Sequence, residues 1–194
     1  MRKHNVLQQI CVIAGIALLL AGMAVMAFWQ WGIGTSQQQA EDYAAILRTL
    51  IPEPQAAVLE ERRDNTMPVL SLDGKDFFGI LEMPRYGSVL PVGADWGNPS
   101  QYPRCFSGSI YDGSIRIGTT SQKGQYDFYR EISVGDAVYF TDMAGNCYAY
   151  EVTDIRYEKH ADEAAFQRKD AALTLFVKNV YAFEYILIFC DTLG

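Results

Sequence analysis

Outside its N-terminal apolar run this chain has three thiols that could serve as nucleophiles: Cys105, Cys147 and Cys190. A cysteine attacks a carbonyl as the thiolate, so it needs a base close by, and histidine is the usual one. The 194-residue chain holds two histidines, His4 and His160, with none between them. Beyond the apolar run His160 is the one histidine, and it leaves a Cys147/His160 or Cys105/His160 pair open as nucleophile and base. His160 stands beside Lys159 with Asp162 two positions on, the surroundings of a solvated side chain. Cys190 lies five residues from Tyr185 along one apolar run, which in a strand puts the two on opposite faces about 17 Å apart at ~3.3 Å per residue, unless a bulge intervenes. The alternative for all three cysteines is that of small buried groups in a core, and their odd number lets no spacing rule select a disulfide pair. No Cys/His cluster has zinc spacing, and Asp95, Asp112, Asp127 and Glu131 are scattered in the manner of surface charge, so no metal and no cofactor is expected.

The elements that would have to position such groups are strands. Residues 173–177 and 185–189 are rich in leucine, β-branched and aromatic residues, which fit a pleated and largely buried surface, and residues 178–184 between them read as a loop. From Phe77 onward short apolar runs alternate with turn signals: Pro84, Gly87, Pro91, Gly93, Asp112-Gly113, Gly135-Asp136 and Ala144-Gly145-Asn146. The clearest hairpin runs from Tyr139 to Asp142, turns at Gly145-Asn146 and returns through Tyr148 to Val152. One helical piece is expected at 162–167. The pattern is all-β, a closed or nearly closed barrel with short helices.

Ahead of the strands, every residue from 10 to 29 is apolar, alanine, glycine or Cys11, enough at ~1.5 Å per residue to cross a bilayer core of about 30 Å. Arg2 and Lys3 precede this run and no Lys or Arg follows it until Arg48, which places the N-terminus in the cytoplasm and the remainder outside. Trp29 and Trp31 fall where an interfacial aromatic belt belongs. The nearest small-x-small cleavage pattern, Val25-Met26-Ala27, lies inside the apolar run, so an uncleaved anchor is expected rather than a signal peptide. The expected organisation is a cytoplasmic N-terminus at 1–9, a transmembrane anchor at 10–31, a helical and loop linker at 32–75 and a β-barrel domain at 76–194. Within the linker, Ser36 and Gln39 read as a capping box that opens a helix ended by Pro52, with one apolar face through Ala40, Tyr43, Ala44, Leu47, Leu50 and Ile51 that rests on the barrel by default. A second short helix is expected from Pro54 to Arg63 and loop from Asp64 to Lys75. A formal charge of −7 with no basic stripe excludes nucleic acid as a partner.

The order of motifs from about Asp76 to Asp191 resembles the sortase family. Phe78-Gly79-Ile80-Leu81-Glu82-Met83-Pro84 with Leu90-Pro91-Val92 is similar to the opening strands; Trp96, Cys105 and Ser107-Gly108-Ser109 continue the pattern. Phe128 to Ile132, Gly135 to Asp142, Gly145-Asn146 and Tyr148 to Val152 resemble the family's middle, nearest to its class B-like members. Thr174-Leu175-Phe176, a loop and a strand ending in Cys190-Asp191 resemble its end. The resemblance implies an eight-stranded sortase barrel.

It also implies a chemistry. Sortases cut a sorting signal and pass the acyl group to an amine, using a cysteine thiolate, a histidine as acid and base, and an arginine that holds the oxyanion. Laid over this chain, the family's cysteine falls on Lys178, its arginine on Tyr185 and its histidine on Thr120, or on Thr119 one residue earlier. Register does not alter the outcome, because no histidine lies between His4 and His160, no cysteine between Cys147 and Cys190 and no arginine after Arg168. The resemblance therefore implies a degenerate member, with Thr120, Lys178 and Tyr185 at the former catalytic positions and Tyr181 and Phe183 as apolar walls of a groove. Lys178 there is either an exposed amine or a partly desolvated one. The expected function is a membrane-anchored, catalytically inactive sortase-family protein of the Gram-positive cell surface that acts as a peptide-binding or regulatory module. Its expected partners are the membrane and a sorting-signal peptide, an active sortase or a pilin-type surface protein. The alternative is an active cysteine transpeptidase whose catalytic residues have moved.

Overall fold

The computed structural model of the chain describes residues 2–53, 55–56, 66–97, 101–121, 127–160, 166, 171–180 and 182–193, with side chains inside the first helix described at 12–28 and 38–50. The chain divides into two compact units, Met1–Ser36 and Gln37–Gly194. Helix α1 covers Arg2–Leu50. Ser36 is therefore not a helix start: Gly32 and Gly34 weaken the helix without interrupting it, and Ser-x-x-Gln sits as well in a helix interior. The helix does stop before Pro52, with the Ile51 N–H on the Leu47 carbonyl at 2.9 Å as its last turn.

In the first unit the described side chains, from Val12 to Phe28, are exposed. Among the described residues no helix is long and apolar enough to cross a membrane. The expected span at 10–31 reaches beyond the described side chains at both ends.

In the second unit Ala40, Ala44 and Leu47 recur at helical spacing and are buried at 1%, 2% and 0% exposure. Ala40 and Leu47 belong to a cluster with Phe77, Ile80 and Tyr102, joined by Tyr43 and Ile51, so the apolar face rests on the barrel. Among the described residues ten strands follow: β1 (Gln55–Ala56), β2 (Leu70–Leu72), β3 (Lys75–Met83), β4 (Ser88–Gly93), β5 (Arg104–Ser107), β6 (Ile115–Thr120), β7 (Ala137–Asp142), β8 (Asn146–Glu158), β9 (Leu173–Asn179) and β10 (Glu184–Thr192). Short 3-10 turns lie at Pro84–Tyr86 and Asp127–Arg130.

Eight of the strands close a ring. The path β8-β10-β9-β6-β5-β4-β3 is completed by β7, which pairs with both β3 and β8. Gln55 and Ala56 form not helix but a two-residue strand paired in parallel with β8; the rest of the helix expected at 54–63 lies outside the described residues. The loop expected before residue 75 contains β2, which folds back on β3 through Asp73-Gly74. The 139–152 hairpin is present as β7 and β8, and the last hairpin is tighter than its composition suggests, with strand order through Asn179 and again from Glu184. Of the helix expected at 162–167 only Phe166 is described.

Alternation along the strands separates two apolar layers. Ile115 and Ile117 of β6, Leu173, Leu175 and Val177 of β9, and Ile186, Ile188 and Cys190 of β10 fill the barrel interior with Leu81, Val92, Val138, Phe140, Tyr150 and Val152. Phe176, Leu187 and Phe189 point the other way and pack with Phe166, Ala171, Phe106 and Tyr185.

Candidate functional site

β9 sits between β6 and β10, and the pairing registers place Thr120 opposite Lys178 and Lys178 opposite Tyr185. Residues directly opposite in paired strands share a face. Val177 and Ile186, one step before, belong to the interior, so the row Thr120, Lys178, Tyr185 stands on the outer face. The three positions named from the family motif are therefore adjacent across three strands. Lys178 is exposed, with its Nζ 5.9 Å from the centre of the Tyr185 ring. Thr120 is half-buried, and its Oγ1 is buried without a hydrogen-bond partner among the described residues. The Val180 N–H donates to Ser121 Oγ at 3.1 Å, tying the end of β6 to the turn after β9.

Below this row the outer face is filled by aromatic rings. Phe176 packs on Phe166 at 4.6 Å, on Trp96 at 5.5 Å and edge-on to Phe106 at 5.6 Å between ring centres, and Phe166 stands edge-on to Tyr185 at 5.9 Å. Gly118 makes room for this layer, because a Cβ there would overlap the Phe176 ring across the β6–β9 pair. Trp96 caps it, 5.0 Å from Phe106 and 37% exposed. Its segment is held by the buried Arg104, which pairs with Asp95 and donates to Tyr102 Oη at 2.9 Å. Sequence reasoning passed over this layer. Its signal was Phe176 two residues before Lys178, facing a glycine two residues before Thr120.

The hairpin joining β9 and β10 places Phe183 at its turn, 84% exposed, while Tyr181 lies outside the described residues. Asn179 and Glu184 follow the row by one step and so face inward, where with Tyr129, Arg130, Tyr157 and Ile186 they line a cavity of about 400 Å³ at the barrel mouth. A second cavity, of about 600 Å³, lies between the 40–48 stretch of α1 and the segment Arg85–Leu90, with Phe128 and Glu131 in its lining. Beside it Asp136 accepts from Arg85 Nη1 and Tyr86 Oη at 2.6 Å each and from the Ser133 N–H at 2.8 Å. Burial alone would raise the Asp136 carboxyl, but the hydrogen bonds from Tyr86, Arg85 and Ser133 outweigh it and hold the group below the usual carboxylate range. Burial, then the bond to Asp136, pushes the Tyr86 hydroxyl up to about 12.

The three cysteines are free. Cys105 and Cys190 face the barrel core at 6% and 0% exposure, away from the row. Burial pushes the Cys105 thiol up to about 11 and moves Cys190 higher still, which opposes thiolate formation at neutral pH. Cys147 stands near the start of β8, opposite Thr141, whereas the exposed His160 follows the far end of that strand. Along β8 the two are separated by roughly 40 Å of extended chain, so the Cys147/His160 pair does not form. Asp95, Asp112 and Glu131 are exposed, and among the described residues no group of three or more His, Cys, Asp and Glu side chains could hold a metal ion.

No family model matches the chain, and no curated protein matches it by sequence. Solved structures do match. Sortase C-3 from Streptococcus pneumoniae aligns with 84% of this chain and 84% of its own length, at 18% identity and a TM-score of 0.54. Sortase C-1 from Actinomyces oris aligns with 84% of this chain and 99% of its own, at 18% identity and a TM-score of 0.53. A Clostridium perfringens sortase C, solved with the C-terminal cell wall sorting motif, aligns over 61% and 71% at 18% identity and a TM-score of 0.50. These three are sortases C, whereas the middle segment of the sequence resembles class B. At such identities the likeness is one of architecture: this chain has the sortase fold.

Proposed function

We propose that this chain is a sortase-fold protein held at the outer face of the cell membrane by residues 10–31, and that it holds an extended peptide without cutting it. The observation that carries this reading is the row itself. Three adjacent strands converge on one outer patch, and the groups they bring there are a hydroxyl, an ammonium and a phenol rather than an imidazole, a thiol and a guanidinium. Lys178 and Tyr185 can donate hydrogen bonds to peptide carbonyls, and Thr120 Oγ1 has unmet capacity whose burial costs about 1–3 kcal/mol until a ligand or water meets it. Trp96 and Phe106 offer apolar surface beside the row. None of these groups is a thiol with a histidine base beside it, and the buried thiols Cys105 and Cys190 stand on the other side of the sheet. A sorting-signal peptide, presented by a pilin-type protein or shared with an active sortase, is the ligand class this reading favours.

The experiment uses the full chain in detergent micelles and fluorescent peptides of sorting-signal type. Binding is expected without turnover, and Lys178→Glu is expected to weaken it about tenfold, the loss of one charge-assisted hydrogen bond. Turnover that disappears when Cys105, Cys147 and Cys190 are replaced would instead establish the relocated-cysteine enzyme. N-terminal sequencing of the mature protein tests the anchor: a start after Ala27 would show that the apolar run is removed.

A further inference from the structure

β4 turns its second edge toward a cavity rather than toward a strand. One edge, from Ser88 to Gly93, pairs with β3. On the other, β5 meets β4 only at Gly93, opposite Arg104. The Gly93 N–H points to that side and donates to the Pro103 carbonyl at 2.9 Å. Backbone groups alternate along a strand, so the Val89 N–H and carbonyl and the Pro91 carbonyl point the same way, and among the described residues no backbone group meets them. Pro91 suits this place because the N–H it lacks would lie on the unpaired side, where no ladder bond is lost.

The cavity of about 600 Å³ runs along this edge. Its lining includes Ser88 and Leu90, which share the inner face with Met83 and Leu81, and Val89, which packs outward with the α1 cluster. A cavity that touches side chains on both faces of one strand passes around an edge, and the β3 edge is closed. Ala45 and Arg48 of α1 form one wall and Phe128 the other. At ~4.8 Å between strands, ~10 Å of thickness and ~3.3 Å of rise, one strand residue occupies about 160 Å³, so the space holds about four. Between these walls a single extended segment fits and the sheet of a second barrel does not. In the lining the exposed Glu131 forms no ion pair among the described residues, and the chain carries a formal charge of −7, so a basic residue on that segment is favoured.

We propose that β4 receives, as an added strand, an extended segment of about four residues from a partner protein, apolar where it faces Phe128 and Leu90 and basic where it nears Glu131. Hydrogen bonds to the Val89 N–H and carbonyl and to the Pro91 carbonyl hold its main chain, and the two walls select its side chains. The site shares no residue with the Thr120, Lys178, Tyr185 row, and its filling does not depend on what the row holds.

The test uses the full chain in detergent micelles, with amide exchange followed by NMR and a fluorescent Lys-Val-Thr-Val-Lys peptide as the probe. In the free chain the Val89 amide should exchange roughly a hundredfold faster than that of Leu90, whose N–H faces β3. Saturable binding of the peptide is expected, and it should slow the Val89 amide about tenfold or more while leaving Leu90 unchanged. Val89→Pro deletes the outward N–H without touching the β3 ladder and should weaken binding about tenfold. Ala45→Trp, at an exposed helix position, fills the cavity from the α1 wall and should abolish binding. Peptides N-methylated at one residue at a time probe the main-chain bonds with the protein unaltered, and at least one should bind about tenfold more weakly. Should Val89→Pro not fold, Ala45→Trp and the N-methylated peptides decide the matter. A Val89 amide as slow as Leu90 in the free chain would show the edge already filled and overturns the proposal. So does a probe that fails to bind up to about 1 mM, or one that binds as well to Ala45→Trp or after N-methylation at every position.

Discussion

Lys178→Cys would put a thiol at the centre of the outer row, and adding Thr120→His and Tyr185→Arg would flank it on the two strands paired with β9. Paired positions bring the guanidinium within roughly 6 Å of the thiol, where one positive charge at an effective dielectric constant of about 40, between surface and bulk values, is worth about 1.4 kcal/mol or ~1 pKa unit. An exposed thiol near 8.5 is about 3% ionised at pH 7, and one unit lower it is about 24% ionised. The less basic thiolate is also a weaker nucleophile by roughly threefold, so the net gain in alkylation rate is about threefold. The histidine adds to this below its own pKa. The assay is iodoacetamide labelling at position 178, followed by peptide mass spectrometry, in the single and triple variants with Cys147→Ser in both. Cys105 and Cys190 are a slow background because burial holds their protons. In 1 M NaCl, where the screening length is about 3 Å, the difference should largely vanish. Equal rates in the two variants, or an advantage untouched by salt, would mean that the three positions do not act on one another, and the row would lose its claim to be a site. Peptide turnover is not expected even in the triple variant, since a groove must also position the scissile carbonyl to a fraction of an ångström.

Gly118→Ala drives a methyl group into the Phe176 ring and should cost about 1–3 kcal/mol in thermal unfolding, part of which returns when Phe176→Leu is added; an unchanged midpoint would count against the outer aromatic layer. The Asp136 carboxyl is held below its ordinary 3.8 in the folded state, so its stabilising effect is complete above that value and fades as pH falls through it toward the lower folded one. The stability gap between the natural chain and Asp136→Asn should therefore be constant above about pH 5 and narrow below about pH 4, and a gap independent of pH would show that the Arg85 and Tyr86 bonds do not favour the charged carboxylate.

What could be read from the sequence was what repeats locally. The apolar runs at 173–177 and 185–189 announce two strands because their side chains suit a pleat whatever their partner is, and Lys178 and Tyr185 then face each other because the turn between them is short. Thr120 reached the same row through the family motif rather than through any local signal, since its strand pairs in parallel with one more than fifty positions away. The helix start placed at Ser36 failed because a capping pattern identifies a terminus only where the helix is otherwise interrupted, and α1 is not. β1 is two residues long, too short for any periodicity to register, and exists only through its partner on β8. The aromatic layer escaped notice because Trp96, Phe106, Phe166 and Phe176 come from four separate stretches, and nothing local says that a phenylalanine in an outer strand position will meet a glycine on the next strand.

β10 lies between β8 and β9 and is their link in the ring. Until residues 184–192 have been made and delivered, the sheet has two open edges, one on the 13-residue β8 and one on β9, each with a row of unpaired backbone donors and acceptors. Ring closure is then a long-range event that waits on the final hairpin, and a chain emerging in vectorial fashion must spend that interval with the edges of an unfinished barrel open to other chains. A protein built in this order depends on whatever shields its strands until the ring closes, and expression levels should respond to that shielding more sharply than the equilibrium stability of the closed barrel suggests.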